Sequence, residues 1–203
     1  MALPIPRLSY EDLRMRADAI LRTHHPGLAI PITIEHIVEF GFGINVMPLP
    51  GLQTIHGIDA FTSRDLRTVV VDQSVLESRS PNRYRFSLAH ELAHVVLHAE
   101  MFAQITFTSV AEWKRVIASI SESDWSWLEW QAYNFAGLIL VPREPLRDTL
   151  EDATQRAAEQ GLDVRQDPEV AEGYVYTWIG RQFEVSAQVI EKRLEKDGLW
   201  PPK

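Results

Sequence analysis

The spacing of apolar residues predicts where the first helices lie. Ser9 is a capping residue, and Leu13, Ala17 and Leu21 recur after it at intervals that place them on one helical face. A second, shorter helix is predicted over residues 33–40, because a run with helical spacing is stopped there by Gly41. The chain therefore begins with helices.

Three runs that follow have the composition and the alternation of β-strands. They cover residues 43–49, 56–63 and 67–73. In the second run, Ile58, Ala60 and Thr62 alternate with other residues and are expected to share one face, and the third run contains three consecutive valines. A short polar turn separates the second run from the third, which predicts a hairpin. We therefore expect a small, mostly antiparallel sheet.

From about residue 81 onward the apolar spacing is helical. The helices predicted on this basis cover residues 82–98, 111–120, 124–140, 144–160, 170–179 and 186–196. Residues 99–109 have no clear period, and residues 162–169 are predicted to form a loop. The order of the elements, helices first, then a small sheet and then further helices, predicts an α+β fold. In this fold the sheet packs on a helical core, and a helical region follows at the C-terminal end.

Composition narrows the class of protein. Of 203 residues, 45% are hydrophobic and 24% charged, as in ordinary globular proteins, and the formal net charge is −8. The absence of cysteine excludes a disulfide framework and a thiolate metal site. The acidic balance argues against a nucleic acid or an anionic membrane as a partner. Because no apolar run approaches the roughly 20 residues of a membrane span, and the N-terminus lacks the pattern of a signal peptide, we expect a cytoplasmic protein.

Residues 90–94 read His-Glu-Leu-Ala-His, with two histidines one helical turn apart. Because residues four apart lie on one face of a helix, His90 and His94 can bind the same metal ion. Glu91 can reach a water on that ion without binding the ion itself. Zinc lowers the pKa of such a water to about 7, and a neighbouring carboxylate can take its proton and pass it to a leaving amine. These residue types at this spacing are those of zinc-dependent hydrolases.

A catalytic zinc ion usually has three protein ligands, so a further ligand is expected. His98 lies two turns beyond His90, about 12 Å along the helix axis, which is too far for both to bind one ion on an unbroken helix. We expect His98 to end the helix or to support a ligand. Leu97 and Glu100 stand where the metzincin pattern requires glycine and histidine, which excludes that class of protease.

Glu129 is the strongest candidate for the third ligand. Its carboxylate lies in the apolar segment of residues 124–140, where it is costly unless it is paired or bound to a metal. The competing interpretation is that Glu129 lies on an exposed face of that helix. Glu112, Glu122 and Asp124 are alternatives, but they lie near helix starts, where acidic residues are common for other reasons.

Two longer segments surround these residues. They are RFSLAHELAHVVLH, residues 85–98, and LEWQAYNFAGLILVP, residues 128–142. Together they resemble the ImmA/IrrE family of zinc metallopeptidases, whose pattern is approximately RFTxAHExxHxxLH followed by ExxAxxFAxxLLxP. The upstream PITIEHIVEFGFGINV and the closing RQFEVSAQVIEKRLEKDGLW are also similar to that family, so the resemblance covers most of the chain.

The resemblance implies a gluzincin-like zinc site, with His90, His94 and Glu129 as ligands and Glu91 as general base. Zinc is the expected metal, and imidazole and carboxylate ligands also suit manganese. Members of the family are implicated in cleaving helix-turn-helix repressors, so the resemblance implies a repressor or another regulatory protein as the substrate. We expect a single metallopeptidase domain over residues 1–203, with a catalytic core at about 28–142 and a helical region at 143–203.

The chain departs from the family pattern at two positions. Many members have asparagine where Tyr133 stands, and here Asn134 is the next residue, which puts the usual orientation of a histidine ligand in doubt. Ser87 replaces the usual threonine. Candidates for supporting a ligand or contacting the substrate are His98, Tyr133, Asn134 and His56. The donor that stabilises the transition-state oxyanion is open among Tyr84, Tyr133 and His56.

Three functions compete. The first is a zinc-dependent endopeptidase whose peptide substrate lies along an edge of the small sheet. The alternative is a non-catalytic, metal-containing module that binds or sequesters a partner repressor, but a structural metal site has no need of Glu91. A DNA-binding regulator that uses residues 183–198 ranks last, because this segment has charges of both signs rather than a basic face.

Overall fold

The computed structural model describes residues 3–201. Helix α1 (Tyr10–His24) starts after Ser9, whose hydroxyl accepts a hydrogen bond from the backbone N–H of Asp12 at 3.2 Å. The Asp12 carboxylate in turn accepts a hydrogen bond from the backbone N–H of Ser9 at 2.8 Å, so the two residues form a capping box at the start of the helix. Next come helix α2 (Ile34–His36) and a π-helical turn (Ile37–Gly41). Both of the helices predicted here are confirmed.

Three strands form one mixed sheet. They are β1 (Asn45–Leu49), β2 (Ala60–Thr62) and β3 (Thr68–Asp72), in the spatial order β1-β3-β2. Strand β2 pairs antiparallel with β3 over three residue pairs, which confirms the predicted hairpin. Strand β1 pairs parallel with β3 over five residue pairs, so the expectation of a mostly antiparallel sheet is wrong.

A short helix lies in the connection between β1 and β2. Helix α3 (Leu52–His56) includes His56, the first residue of the segment predicted as the second strand. Strand β2 itself begins at Ala60. Strand β2 runs opposite to β1, so the hairpin that follows returns the chain in the direction of β1, and β3 lies between β1 and β2. Gly51 and Gly57 flank α3 with φ values of 79° and 71°, a left-handed conformation that glycine adopts without strain.

The rest of the described chain is mainly helical. Its helices are α4 (Gln73–Leu76), α5 (Pro81–Leu97), α6 (Ala99–Gln104), α7 (Val110–Ser119), α8 (Glu122–Leu140), α9 (Arg143–Glu159), α10 (Pro168–Phe183) and α11 (Ala187–Lys196). Every helix predicted from periodicity is present, although α10 extends beyond the predicted residues 170–179 at both ends. Helices α4 and α6 are not predicted, because four and six residues are too few to show a helical period.

Helices α5 and α8 pack together at the centre of the fold, with α1 on α8 and strand β2 on α5. The same core contains fully buried side chains from three elements: Leu88 and Leu92 of α5, Phe135 and Ile139 of α8, and Val69 of β3. This hydrophobic cluster continues into α10 and α11. Among the described residues, no helix is both long and apolar enough to cross a membrane.

A network of charged side chains ties α11 to the helices beside it. Arg193 is buried and directs two guanidinium nitrogens to the carboxylate of Asp197, each at 3.0 Å, and its Nε to the backbone carbonyl of Val141 at 3.1 Å. Arg14 of α1 donates to the same carboxylate at 2.8 Å. The side chain of Asp197 is itself fully buried, so one carboxylate balances two guanidinium groups and holds α11 in place.

Replacing Asp197 by alanine is expected to lower the free energy of unfolding by about 3–5 kcal/mol, because Arg193 and Arg14 lose their buried counter-charge. Urea denaturation followed by circular dichroism measures this. The matched control is Glu195→Ala on the same helix. Glu195 is exposed and pairs with Lys192 at 3.1 Å, so its loss is expected to cost less than about 1 kcal/mol. Equal effects of the two substitutions would contradict a structural role for the buried network.

Candidate metal centre

Helix α5 begins with Pro81, a residue suited to a first turn, and presents His90 and His94 on one face. Their Nε2 atoms are 3.1 Å apart. Ligand atoms around a tetrahedral zinc ion lie about 3.3 Å apart when each is bound at about 2.0–2.1 Å. The two nitrogens therefore face one point with close to the separation that a shared metal ion requires.

The carboxylate of Glu129 reaches the same point from the facing helix. Helix α8 packs against α5, and Oε2 of Glu129 is 3.4 Å from Nε2 of His90. Its other oxygen, Oε1, is 3.7 Å from Nε2 of His94. The Glu129 side chain is only 23% exposed, so it does not lie on an open helix face in bulk water. The structure brings these three side chains together.

The alternative acidic residues are engaged elsewhere. Glu112 accepts hydrogen bonds from the backbone N–H and the hydroxyl of Thr108, both at 2.8 Å. Asp124 accepts one from Arg7 at 2.6 Å. Glu122 is exposed in the first turn of α8. These contacts and positions are the ones expected of acidic residues near helix starts.

The carboxylate of Glu91 is buried beside the two histidines. It presents an oxygen within 4.8 Å of the ligand nitrogens of His90 and His94, and the hydroxyl of Thr62, on β2, donates a hydrogen bond to its Oε2 at 2.7 Å. Burial raises the pKa of the Glu91 carboxyl above its ordinary value, while His90 and the hydrogen bond from Thr62 act in the opposite direction. Sequence reasoning does not identify Thr62 as a site residue, although the alternation of the strand places it on one face with Ala60.

The histidines differ in how readily they take a proton. Burial lowers the pKa of His94 well below its ordinary value and that of His98 to about 4, and His90 acts on both in the same direction. Burial also lowers the pKa of His90, but a hydrogen bond to Glu129 and the charges of Glu91 and Glu129 outweigh it and raise that pKa. His94 and His98 are therefore neutral near pH 7, and a neutral ring is the state in which His94 can bind a metal ion. A metal ion must also displace any proton held between His90 and Glu129.

Two of the predicted supporting residues, Tyr133 and Asn134, lie on α8. The ring of Tyr133 lies edge-on to His90, with ring centroids 4.9 Å apart, and is 57% exposed. The amide nitrogen of Asn134 donates to the backbone carbonyl of Trp130 at 2.6 Å, so this group is engaged with its own helix.

The other two predicted residues, His98 and His56, lie in different parts of the fold. His98 follows the last residue of α5 and is fully buried, and its Nδ1 is 3.0 Å from Nδ1 of His94. His56 ends α3, and its backbone carbonyl accepts a hydrogen bond from Lys114 at 3.1 Å.

His90, Glu91 and Glu129 open onto a cleft of about 1150 Å³. Residues 57–60, next to and at the start of β2, contribute to its lining, and helix α11 contributes a further part. In the part of the chain that the structure describes, His56 and Tyr84 are not among the residues that line it. The metal-facing groups are thus accessible to a molecule that enters from solvent.

The donor atoms fit a divalent metal ion. Two imidazoles and one carboxylate form a ligand set of catalytic zinc sites, which keep a further position open. The observed separations of 3.1 Å and 3.4 Å are close to those of such a set. Held between α5 and α8, an ion would be accessible from the cleft, as a catalytic ion must be.

Two comparisons with known proteins found a match. The model of a peptidase family described as the IrrE N-terminal-like domain matches residues 41–195. A solved structure titled "Mycobacterium tuberculosis transcriptional regulator" is similar over 95% of this chain and 57% of that chain, with a TM-score of 0.54 and 22% sequence identity, a likeness that concerns the fold. The chain thus spans less than two thirds of that regulator. No curated protein matches the chain.

Proposed function

The chain belongs to the peptidase family of the IrrE N-terminal-like domain, and from this premise we propose that it is a zinc-dependent endopeptidase that cleaves a cytoplasmic regulatory protein, a helix-turn-helix repressor. The observation that carries the proposal is the convergence of His90, His94 and Glu129 beside the buried Glu91 at an open cleft. A metal site that only stabilised the fold would be closed by a fourth protein ligand. Manganese is the alternative ion.

In the proposed reaction, a bound zinc ion supplies Lewis-acid activation of water and of the scissile carbonyl. Glu91 takes the proton of the attacking water and delivers it to the leaving amine as the peptide bond breaks. The raised pKa of its carboxyl makes Glu91 a stronger base than an exposed glutamate. Thr62 holds Oε2 by a hydrogen bond, which leaves Oε1 for the water.

Strand β2 offers an edge along which the peptide can bind. Asp59 accepts from the backbone N–H of Asp72, and the backbone N–H of Ser63 donates to Thr68, each at 2.8 Å. In an antiparallel pair, alternate residues bond the partner strand, so the peptide groups of Ala60 and Thr62 point away from β3. Residues 57–60 line the cleft, and we propose that the substrate pairs with this edge as an added strand.

We also propose that residues 143–203 form one functional unit with the catalytic core at about 28–142. Helix α11 contributes Lys192 and Lys196 to the lining of the cleft that contains His90. This helix is held by the buried network around Asp197, so the C-terminal region shapes the space that the substrate enters.

Incubation of the zinc-loaded protein with a helix-turn-helix repressor, taken from the neighbouring reading frame if that frame encodes one, tests the proposal. We expect two fragments of the repressor on a gel, formed by the wild-type protein, prevented by a chelator and restored by added zinc. Mass spectrometry of the fragments identifies the peptide bond that is cut. A stable complex with an intact repressor would contradict the endopeptidase and favour a module that sequesters its partner.

Thr62→Val is expected to lower the rate of cleavage roughly 10- to 150-fold, the equivalent of a lost hydrogen bond to a charged group, because Glu91 is no longer held in position. Zinc content, measured by elemental analysis after dialysis, is expected to stay unchanged. Thr62→Ser is the matched control, since it keeps the hydroxyl, and it is expected to retain most of the rate. Wild-type activity in the valine variant would contradict the role given to this hydrogen bond.

A further inference from the structure

His98 is a fully buried histidine that does not line the cleft but contacts one of the metal-facing histidines from behind. Its Nδ1 is 3.0 Å from Nδ1 of His94, a hydrogen-bond distance. The other ring nitrogen of His94, Nε2, is 3.1 Å from Nε2 of His90 and faces Glu129. The ring of His94 therefore has one nitrogen toward the metal-binding point and the other toward His98.

The protons on these rings are coupled. A hydrogen bond between two ring nitrogens holds one proton, so when both rings are neutral one Nδ1 must donate and the other must accept. If His98 donates, His94 carries its own proton on Nε2, where it blocks the lone pair that a metal needs. If His94 donates through Nδ1–H, its Nε2 lone pair is free, and the proton of His98 lies on Nε2.

Among the described residues, the contact between Nδ1 of His98 and Nδ1 of His94 is the one hydrogen bond of the His98 side chain. The other ring nitrogen of His98, Nε2, is buried and makes none in the part of the chain that the structure describes. A buried polar atom without a partner is costly, and a purely structural core position would be filled at lower cost by an apolar side chain. The contact through Nδ1 gives a reason for a histidine at this position.

We propose that His98 is a positioning residue, which accepts a hydrogen bond from Nδ1–H of His94 and thereby holds His94 in the tautomer and ring orientation that leave Nε2 free for the metal ion. The inference rests on the proposed metal site at His90, His94 and Glu129. Partners that orient a metal-binding histidine in this way typically change metal affinity 10- to 100-fold when they are removed.

The first test compares zinc affinity, measured by competition with a chromophoric chelator, among variants at this position. His98→Leu removes the acceptor and is expected to weaken zinc binding roughly 10- to 100-fold. His98→Asn is expected to restore most of it, because the asparagine Oδ1 occupies the place of the histidine Nδ1 and can accept the same hydrogen bond. Thermal unfolding shows that each variant is folded, and His36→Leu, at an exposed histidine, is the matched control.

Two outcomes separate this inference from the proposed function. Zinc binding that is lost in His94→Ala but unchanged in His98→Leu overturns the role of His98 and leaves the metal site standing. A folded wild-type chain that binds zinc no better than His94→Ala overturns the metal site and, with it, this inference.

The tautomers provide a readout that does not depend on affinity. In the zinc-loaded protein, long-range ¹H–¹⁵N correlation spectra are expected to place the proton of His98 on Nε2 and that of His94 on Nδ1. A spectrum that places the proton of His98 on Nδ1 overturns the proposal, because His98 would then be the donor.

Discussion

Glu91→Gln is expected to lower the rate of peptide cleavage roughly 100- to 10,000-fold while zinc stays bound. The amide cannot take a proton from the attacking water, but it keeps the size of the side chain and can still accept the hydrogen bond from Thr62. Turnover of the proposed repressor substrate measures the rate, and elemental analysis of the dialysed protein measures the metal. The loss should appear in kcat, because the group acts in the reaction rather than in binding.

Glu100→Gln provides the control for charge, since Glu100 is exposed on α6, and it is expected to leave both measurements unchanged. If Glu91→Gln cleaves the substrate at the wild-type rate, the assignment of Glu91 as general base is wrong. If this variant loses zinc, Glu91 is a ligand rather than the base.

Glu129→Gln is expected to weaken zinc binding by more than the roughly 10- to 100-fold that follows the loss of a supporting residue, because it removes the charge of the proposed third ligand. The geometry predicts this, since the two oxygens of Glu129 lie 3.4 Å and 3.7 Å from the Nε2 atoms of His90 and His94. Isothermal titration calorimetry on the metal-free protein measures the affinity. Cleavage should fall with it and recover only in part at high zinc concentration.

The matched control is Glu122→Gln, an exposed glutamate in the first turn of the same helix, which is expected to bind zinc like the wild type. Glu91 is the other carboxylate next to His90 and His94. Wild-type affinity in Glu129→Gln, together with zinc loss in Glu91→Gln, would exchange the roles of the two glutamates.

The long helices are predictable because their information is local. Ser9 and Asp12 cap α1 through contacts three residues apart, and the apolar periods of α5 and α8 run over many turns. The four-residue spacing of His90 and His94 likewise determines that both lie on one face of α5. Helices α3, α4 and α6 have too few residues to show a period, which is why the pattern does not reveal them.

The arrangement of the sheet was only partly predictable. The hairpin of β2 and β3 follows from a short turn between two alternating runs, a local feature. The parallel pairing of β1 with β3 depends on which of the two hairpin strands lies beside β1, and these strands are separated from β1 in sequence. Pairing of strands distant in sequence is decided by burial of the whole sheet, which no local window contains.

The sequence by itself determined the long helices and the α+β class, because apolar periods over several turns are local information. It also determined that two imidazoles and the Glu91 carboxylate lie close together, because spacing along one helix defines their relative positions. Only the tertiary structure decided that Glu129 lies 3.4 Å from His90, that Thr62 holds Glu91 and that His98 contacts His94 from behind. The first two contacts join side chains from different elements, and their distances follow from the way α5, α8 and β2 pack around a shared core. The third depends on the turn in which α5 ends and on the burial of His98, which the spacing of residues does not reveal.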